Sequence, residues 1–191
     1  MKLAILGPGN YSLISKHTKL SEKDVKEFIE KFGKYLAEKG FEIIIAVDRG
    51  IPYEVAKVYK KHNGKKVYGV NPQSHEKYDK QEAIKPYMEV VDEEIKVASW
   101  YHLNGEIASF SDVAVVFGLS CGTMADIVFL YFHYKYLGSE TKLIMYLPSM
   151  SGKLHPEVEE SLSVKGKKFS YASSFDELKE ELEKISKNFE K

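Results

Sequence analysis

The sequence predicts an α/β fold: a doubly wound, mainly parallel sheet of about six or seven strands with helices on both faces, in a single domain over residues 1–191. Three observations predict it. Short apolar runs alternate with helix-length amphipathic segments, the pattern of repeated strand–helix–strand units. Val113–Phe117 is an unbroken apolar run, as expected of a strand covered on both faces. That run passes directly into Gly118-Leu119-Ser120-Cys121-Gly122-Thr123, a small-residue turn with a helix behind it. The first amides of such a helix lack partners and carry the positive end of its dipole, so the junction suits an anion.

The elements follow in order. Leu3–Leu6 reads as a first strand, ending in Gly7-Pro8-Gly9-Asn10. Ser21 is placed to cap a helix over Glu22–Lys39, whose Val25, Phe28, Ile29, Phe32, Tyr35 and Leu36 recur at helical spacing, and Gly40 ends it. Phe41–Val47 is a second strand, followed by Asp48-Arg49-Gly50-Ile51-Pro52 and a helix over Tyr53–His62. Lys66–Val70 is the third strand, ending in Asn71-Pro72, and the polar stretch Gln73–Lys85 reads as a loop. Met88–Val91 is expected as a short fourth strand, Ile95–Phe110 as a helix and Asp112–Phe117 as the fifth strand. An aromatic-rich helix over Thr123–Leu137, a sixth strand over Lys142–Leu147, irregular chain over Pro148–Lys167 and a seventh strand over Lys168–Tyr171 follow. A final helix, Phe175–Ser186, opens with the capping-box pattern Ser174-Phe175-Asp176-Glu177.

Composition narrows the function. Hydrophobic residues make up 43% of the chain and charged residues 29%, which suits a packed globule and argues against disorder. The formal net charge is zero, so the global basic field of a nucleic-acid-binding protein is missing. Cys121 is the sole cysteine, which excludes an intrachain disulfide and fits residence in the cytoplasm. The apolar run at Met1–Gly7 is too short for a signal peptide, and nothing approaches the roughly 20 apolar residues of a membrane span.

Ligands of such sheets bind beyond the carboxyl ends of the strands, so the turns there supply the candidate residues. They are Gly7, Gly9 and Asn10 after the first strand, Asp48, Arg49 and Gly50 after the second, and Asn71 after the third. Gly118, Ser120, Cys121, Gly122 and Thr123 follow the fifth. Arg49 is the only arginine, and its planar guanidinium suits bidentate phosphate binding, although a surface ion pair is an equal reading. Asp48 could accept from a ribose hydroxyl or cap the next helix, the second being the stronger reading for it alone. Thr123 could cap its helix or bind a phosphate oxygen. Cys121 at a helix start would favour thiolate, but no base accompanies it, so an incidental role is preferred. The histidines 17, 62, 75, 102, 133 and 155 show no ligand spacing, and neither a metal nor a cofactor is expected. No Gly-x-Gly-x-x-Gly or Walker pattern is present, which sets aside ordinary dinucleotide enzymes and P-loop NTPases.

The stretches Asn104-Gly105-Glu106-Ile107, Ser111–Val116 and Gly122-Thr123-Met124-Ala125-Asp126 resemble the Lonely Guy and lysine decarboxylase-like Rossmann superfamily. Asp48–Ala56 with Val67–Pro72 is similar to that superfamily's earlier glycine-rich turn, helix and strand. It includes phosphoribohydrolases, molybdenum-cofactor carriers and nucleotide-binding relatives, and the resemblance covers roughly residues 1–147. It implies a Rossmann-like nucleotide-binding fold and a homodimer or higher homo-oligomer, for which the aromatic helix offers a surface. It also implies divergence. Gly118-Leu119-Ser120 stands where the family has Pro-Gly-Gly, Asp126 stands for the motif glutamate, and Leu103, beside Asn104, stands for the arginine of the hydrolases. Losing that cation removes a group able to stabilise phosphate or developing charge.

The expected function is therefore binding of a phosphorylated nucleoside or related nucleotide without the usual phosphoribohydrolase activity. The alternative is an active N-glycosidase on a nucleoside monophosphate, with Asp126 as acid or nucleophile and Arg49 or Asn104 assisting. A scaffold or nucleic-acid module ranks third, and no membrane partner is expected.

Overall fold

The computed structural model describes residues 1–73, 84–163 and 169–189. Seven strands form one sheet in the order β4-β3-β2-β1-β5-β6-β7. They are β1 (Lys2–Leu6), β2 (Glu42–Ala46), β3 (Val67–Pro72), β4 (Glu93–Val97), β5 (Val113–Val116), β6 (Lys142–Tyr146) and β7 (Phe169–Ala172). Every neighbouring pair is parallel. The strand order runs outward in both directions from β1 and β5, which pair from Leu3↔Val113 to Leu6↔Val116. Strand order reverses there, and the connections on either side diverge to leave a crevice.

The strands alternate their side chains between two apolar layers. Leu3, Ile5, Ile43, Ile45, Val113 and Val115 face one layer, beneath α1 (Ser12–His17), α2 (Glu22–Glu38), α3 (Ile51–Lys61) and α7 (Phe175–Ser186). Ala4, Leu6, Ile44, Ala114 and Val116 face the other, covered by α4 (Trp100–Phe110), α5 (Cys121–Tyr136) and α6 (Pro156–Leu162). All four residues of β5 are fully buried, which is why that strand carries no polar alternation. Among the described residues no helix is long and apolar enough to cross a membrane.

Local chemistry explains most boundaries. Ser21 accepts from the Asp24 amide at 3.2 Å while Asp24 accepts from the Ser21 amide at 2.7 Å, a complete capping box. Gly40 ends α2 at φ +65°. The box at Ser174 is modified: Ser174 accepts from the Glu177 amide, but the Glu177 carboxylate takes the amide of Ser173 at 2.6 Å.

Four expectations are corrected. Met88–Val91 is not a strand; Lys85–Val90 is a 3₁₀ helix, whose Val90 and partly buried Tyr87 pack into the first layer. The fourth strand is Glu93–Val97 instead, and α4 begins at Trp100 rather than at Ile95. This is an edge strand with Glu93, Glu94 and Lys96; it pairs with β3, and its short apolar face, Ile95 and Val97, packs into the second layer. Within the stretch expected to be irregular, Leu147–Ser149 forms a 3₁₀ turn and Pro156–Leu162 forms α6. Helix α5 starts two residues earlier than expected, because Ser120 and not Thr123 is its cap. Of the loop read over residues 73–85 and the seventh strand begun at 168, residues 74–83 and 168 lie outside the described residues.

Candidate functional site

A cavity of about 290 Å³ opens at the carboxyl edge of the sheet, over β1 and β2 and between α4 and α5. Turn residues from three strands meet in it: Gly7 and Gly9 from β1, Asp48 and Arg49 from β2, and Ser120, Gly122 and Thr123 from β5. Helix α4 adds Trp100, Leu103 and Asn104, and Asp126 enters from the second turn of α5.

The turns meet because their backbones touch. Gly50 caps α3 at φ +113°, and a Cβ there would stand 2.4 Å from the Gly9 Cα and from the Pro8 carbonyl oxygen. Only glycine allows both that conformation and that approach. The Ile51 amide then donates to the Pro8 carbonyl at 3.3 Å, fastening the β2 turn to the β1 turn. Asp48 does not cap α3: its Oδ1 accepts from the Arg49 amide at 2.8 Å and shapes the turn. The Arg49 side chain is exposed, runs over Gly9 and has no ion-pair partner among the described residues.

At the start of α5, Ser120 Oγ accepts from the Thr123 amide at 3.2 Å and lies 3.0 Å from the Thr123 hydroxyl. Thr123 is buried, so its hydroxyl braces the cap rather than making it. The cap satisfies the third amide of the helix, while the amides of Cys121 and Gly122, at its first two positions, have no acceptor within the helix. Gly122 is exposed, and a Cβ there would make only an ordinary contact with Ser120 Oγ at 3.7 Å.

Asp126 is the unusual group. Its Oδ1 is shut off from solvent and has no hydrogen-bond partner. Burial pushes its carboxyl up to about 7, so near neutrality much of it is protonated. Leu103, only 2% exposed, forms apolar wall on the α4 side. Among the described residues Arg49 is thus the one cation lining the cavity.

Five sequence candidates lie elsewhere. Asn10 accepts from the Ser12 amide at 3.0 Å, ordering the entry to α1. Gly50 works behind the wall as described. Asn71 is buried, and its amide donates to Glu94 at 2.6 Å across the β3–β4 pair. Gly118, at φ +83°, packs against Ile14 and Pro8. Cys121 is exposed and free outside the lining. Conversely, Ala46 and Trp100 line the cavity without having been singled out. Trp100 is the only tryptophan, the one signal that could have drawn notice, but its place at the mouth depends on where α4 begins.

A doubly wound parallel sheet with a cavity at its strand-order reversal defines a Rossmann-like ligand-binding class of fold. Within that class the chain belongs to the SLOG cluster4 family, whose model matches residues 1–177. No curated protein matches it. Among solved structures, the molybdenum cofactor carrier protein of Chlamydomonas reinhardtii is 18% identical with a TM-score of 0.65, over 96% of this chain and 97% of that one. The molybdenum cofactor binding protein of Rippkaea orientalis is 16% identical with a TM-score of 0.63, over 96% of both chains. DNA processing protein A of Helicobacter pylori is 14% identical with a TM-score of 0.60, over 96% of this chain and 80% of that one. At these identities the likeness is one of fold.

Proposed function

We propose that the cavity between α4 and α5 binds a phosphorylated nucleoside or related nucleotide, with the phosphate at the Cys121 and Gly122 amides near Arg49 and the remainder of the ligand reaching Asp126. One observation carries this reading: Arg49, which has no ion-pair partner among the described residues, Gly122 at the first turn of α5 and Asp126, whose Oδ1 has no hydrogen-bond partner, line one cavity. A buried polar atom left unsatisfied costs about 1–3 kcal/mol, a cost that a hydrogen-bonding ligand removes. The named neighbours that carry or bind the molybdenum cofactor support a small-molecule ligand. The apolar Leu103 opposite Asp126 favours binding over phosphoribohydrolase chemistry.

Thermal unfolding against nucleoside mono-, di- and triphosphates, cyclic nucleotides and molybdopterin-like compounds tests the reading. A ligand at 100 times its dissociation constant adds about 2.7 kcal/mol of stability. The control is Gly122→Glu: its carboxylate suits the start of a helix, so folding is kept, while phosphate is repelled. A flat panel, or equal shifts for both proteins, overturns it.

Asp126 favours a second reading, an N-glycosidase, because a carboxyl poised near 7 can act as a general acid. It requires release of free base and loss of that release in Asp126→Asn. The single-stranded DNA-binding neighbour shares the fold, but one arginine and zero net charge favour a small ligand. Fluorescence titration with single-stranded DNA at physiological salt is expected to be flat.

The same reading takes the protein as a one-domain cytoplasmic homo-oligomer. Self-association is supported by the outward face of α5, where Val128 and Phe132 are each 43% exposed, Tyr136 66% and the following Leu137 70%. A patch of this kind marks an interaction surface.

A further inference from the structure

A second cavity, of about 230 Å³, opens on the other side of the β5–α5 turn. Leu13, Ile14 and His17 of α1 line it, with Leu119 and, beyond β6, Met150 and Ser151. Leu119 and Ser120 are adjacent in sequence yet line different cavities, so the turn is a narrow ridge between them. Gly118 makes the ridge possible: a Cβ there would stand 2.9 Å from Ile14 Cδ1, so α1 is seated directly on the turn. The second cavity has an aliphatic and thioether surface with an imidazole and hydroxyls, and among the described residues no carboxylate or lysine lines it. That surface suits a flat heterocycle, which gains from apolar contact and a few oriented polar groups.

A phosphomonoester held at the first turn of α5 would fill only the first cavity. A phosphate substituted on both sides would sit on the ridge and place a ring system in each, straddling the strand-order reversal as two-part ligands do in doubly wound sheets. We propose that the ligand is of this second class: two ring systems joined through a phosphodiester or pyrophosphate, the second ring held by Leu13, His17, Leu119, Met150 and Ser151. This rests on the first cavity being the phosphate site.

Calorimetric titration of the full chain with two matched pairs tests it: AMP against diadenosine 5′,5′-diphosphate, and GMP against its diguanosine counterpart. One dinucleoside is expected to bind at least tenfold more tightly than its monophosphate. Ser151→Trp, at an exposed position, should erase that advantage and leave monophosphate affinity within twofold; Leu13→Trp on the facing helix should do the same. Unfolding midpoints without ligand establish that both variants fold. Equal or weaker binding of both dinucleosides, or an advantage that survives both variants, overturns the second subsite while leaving the first cavity's assignment intact. No binding by any of the four compounds overturns the nucleotide assignment of the first cavity and the second subsite with it.

Discussion

Replacing Asp126 with asparagine should flatten the dependence of stability on pH, and in a defined direction. Burial holds the folded carboxyl at about 7, against 3.8 for the ordinary group. Between those values the folded protein keeps a proton that the unfolded chain has lost. Unfolding free energy therefore falls as pH rises, by about 1.4 kcal/mol per unit, and stops falling above about pH 7. Over the full window the ceiling is about 4 kcal/mol, lowered by any water that enters the cavity and screens the charge. Asparagine has nearly the same shape and cannot ionise, so it escapes this cost. Urea unfolding of both proteins at pH 4, 5, 6, 7 and 8 gives the difference directly. The variant should match wild type near pH 4 and exceed it by several kcal/mol at pH 8. Parallel pH curves would refute the argument. Wild type gaining on the variant with rising pH would show instead that the carboxylate is paired and held below its ordinary range.

Other perturbations separate the remaining parts of the argument. Gly50→Ala meets both a left-handed φ and backbone at 2.4 Å, so a loss of about 3 kcal/mol or more is expected in chemical denaturation; Gly40→Ala, with open space at φ +65°, should cost about 1–2 kcal/mol. Ser120→Ala removes the cap of α5 and the partner of the Thr123 hydroxyl, and should cost about 1–2 kcal/mol in the same assay. A smaller cost for Gly50→Ala than for Gly40→Ala would contradict the close approach of the two turns. Phe132→Glu places a charge on the exposed α5 face and should lower the sedimentation mass from oligomer to monomer; wild type sedimenting as a monomer would refute that surface as a self-association site.

The strands that can be read from sequence are those whose side chains do the holding. β1, β2, β3, β5 and β6 lie in the sheet interior, covered on both faces, and their apolar runs say so. β4, at the edge, has only Ile95 and Val97 packed inward besides its backbone pairing, and Glu93, Glu94 and Lys96 give it the pattern of a surface segment. Helices α1 and α6 have one buried residue each, Ile14 and Leu162, too little to make a periodic signal. The site follows a similar rule. Glycine and polar residues after buried strands pointed to Gly7, Gly9, Asp48, Arg49, Ser120, Gly122 and Thr123, because parallel strands deliver their turns to one edge. Asn71 broke the pattern: the edge strand β4, hidden in the sequence, supplies the Glu94 carboxylate that engages it. The unsatisfied state of Asp126 was also illegible, since it depends on which atoms of other elements fail to reach Oδ1.

That carboxyl also sets how phosphate affinity should vary with pH. Gly122 and Asp126 are four residues apart on α5, so a phosphate at the first turn lies about 6 Å from the carboxyl along the axis. At an effective dielectric near 20, an ionised Asp126 repels each unit of phosphate charge by about 3 kcal/mol. Binding therefore favours the protonated carboxyl, and affinity should fall as pH rises through 7, by at most about tenfold per unit for one proton taken up. The phosphate's own second ionisation, near pH 6, acts in the opposite sense but affects wild type and Asp126→Asn alike. The ratio of their dissociation constants isolates the carboxyl. It should lie near one at pH 5.5 and reach about thirtyfold in favour of the variant at pH 8.5. A flat ratio would move the phosphate away from α5 and toward Arg49. A ratio that turned in favour of wild type would mean that ionised Asp126 accepts hydrogen bonds from donors on the ligand, making it a recognition group rather than a charge to be suppressed.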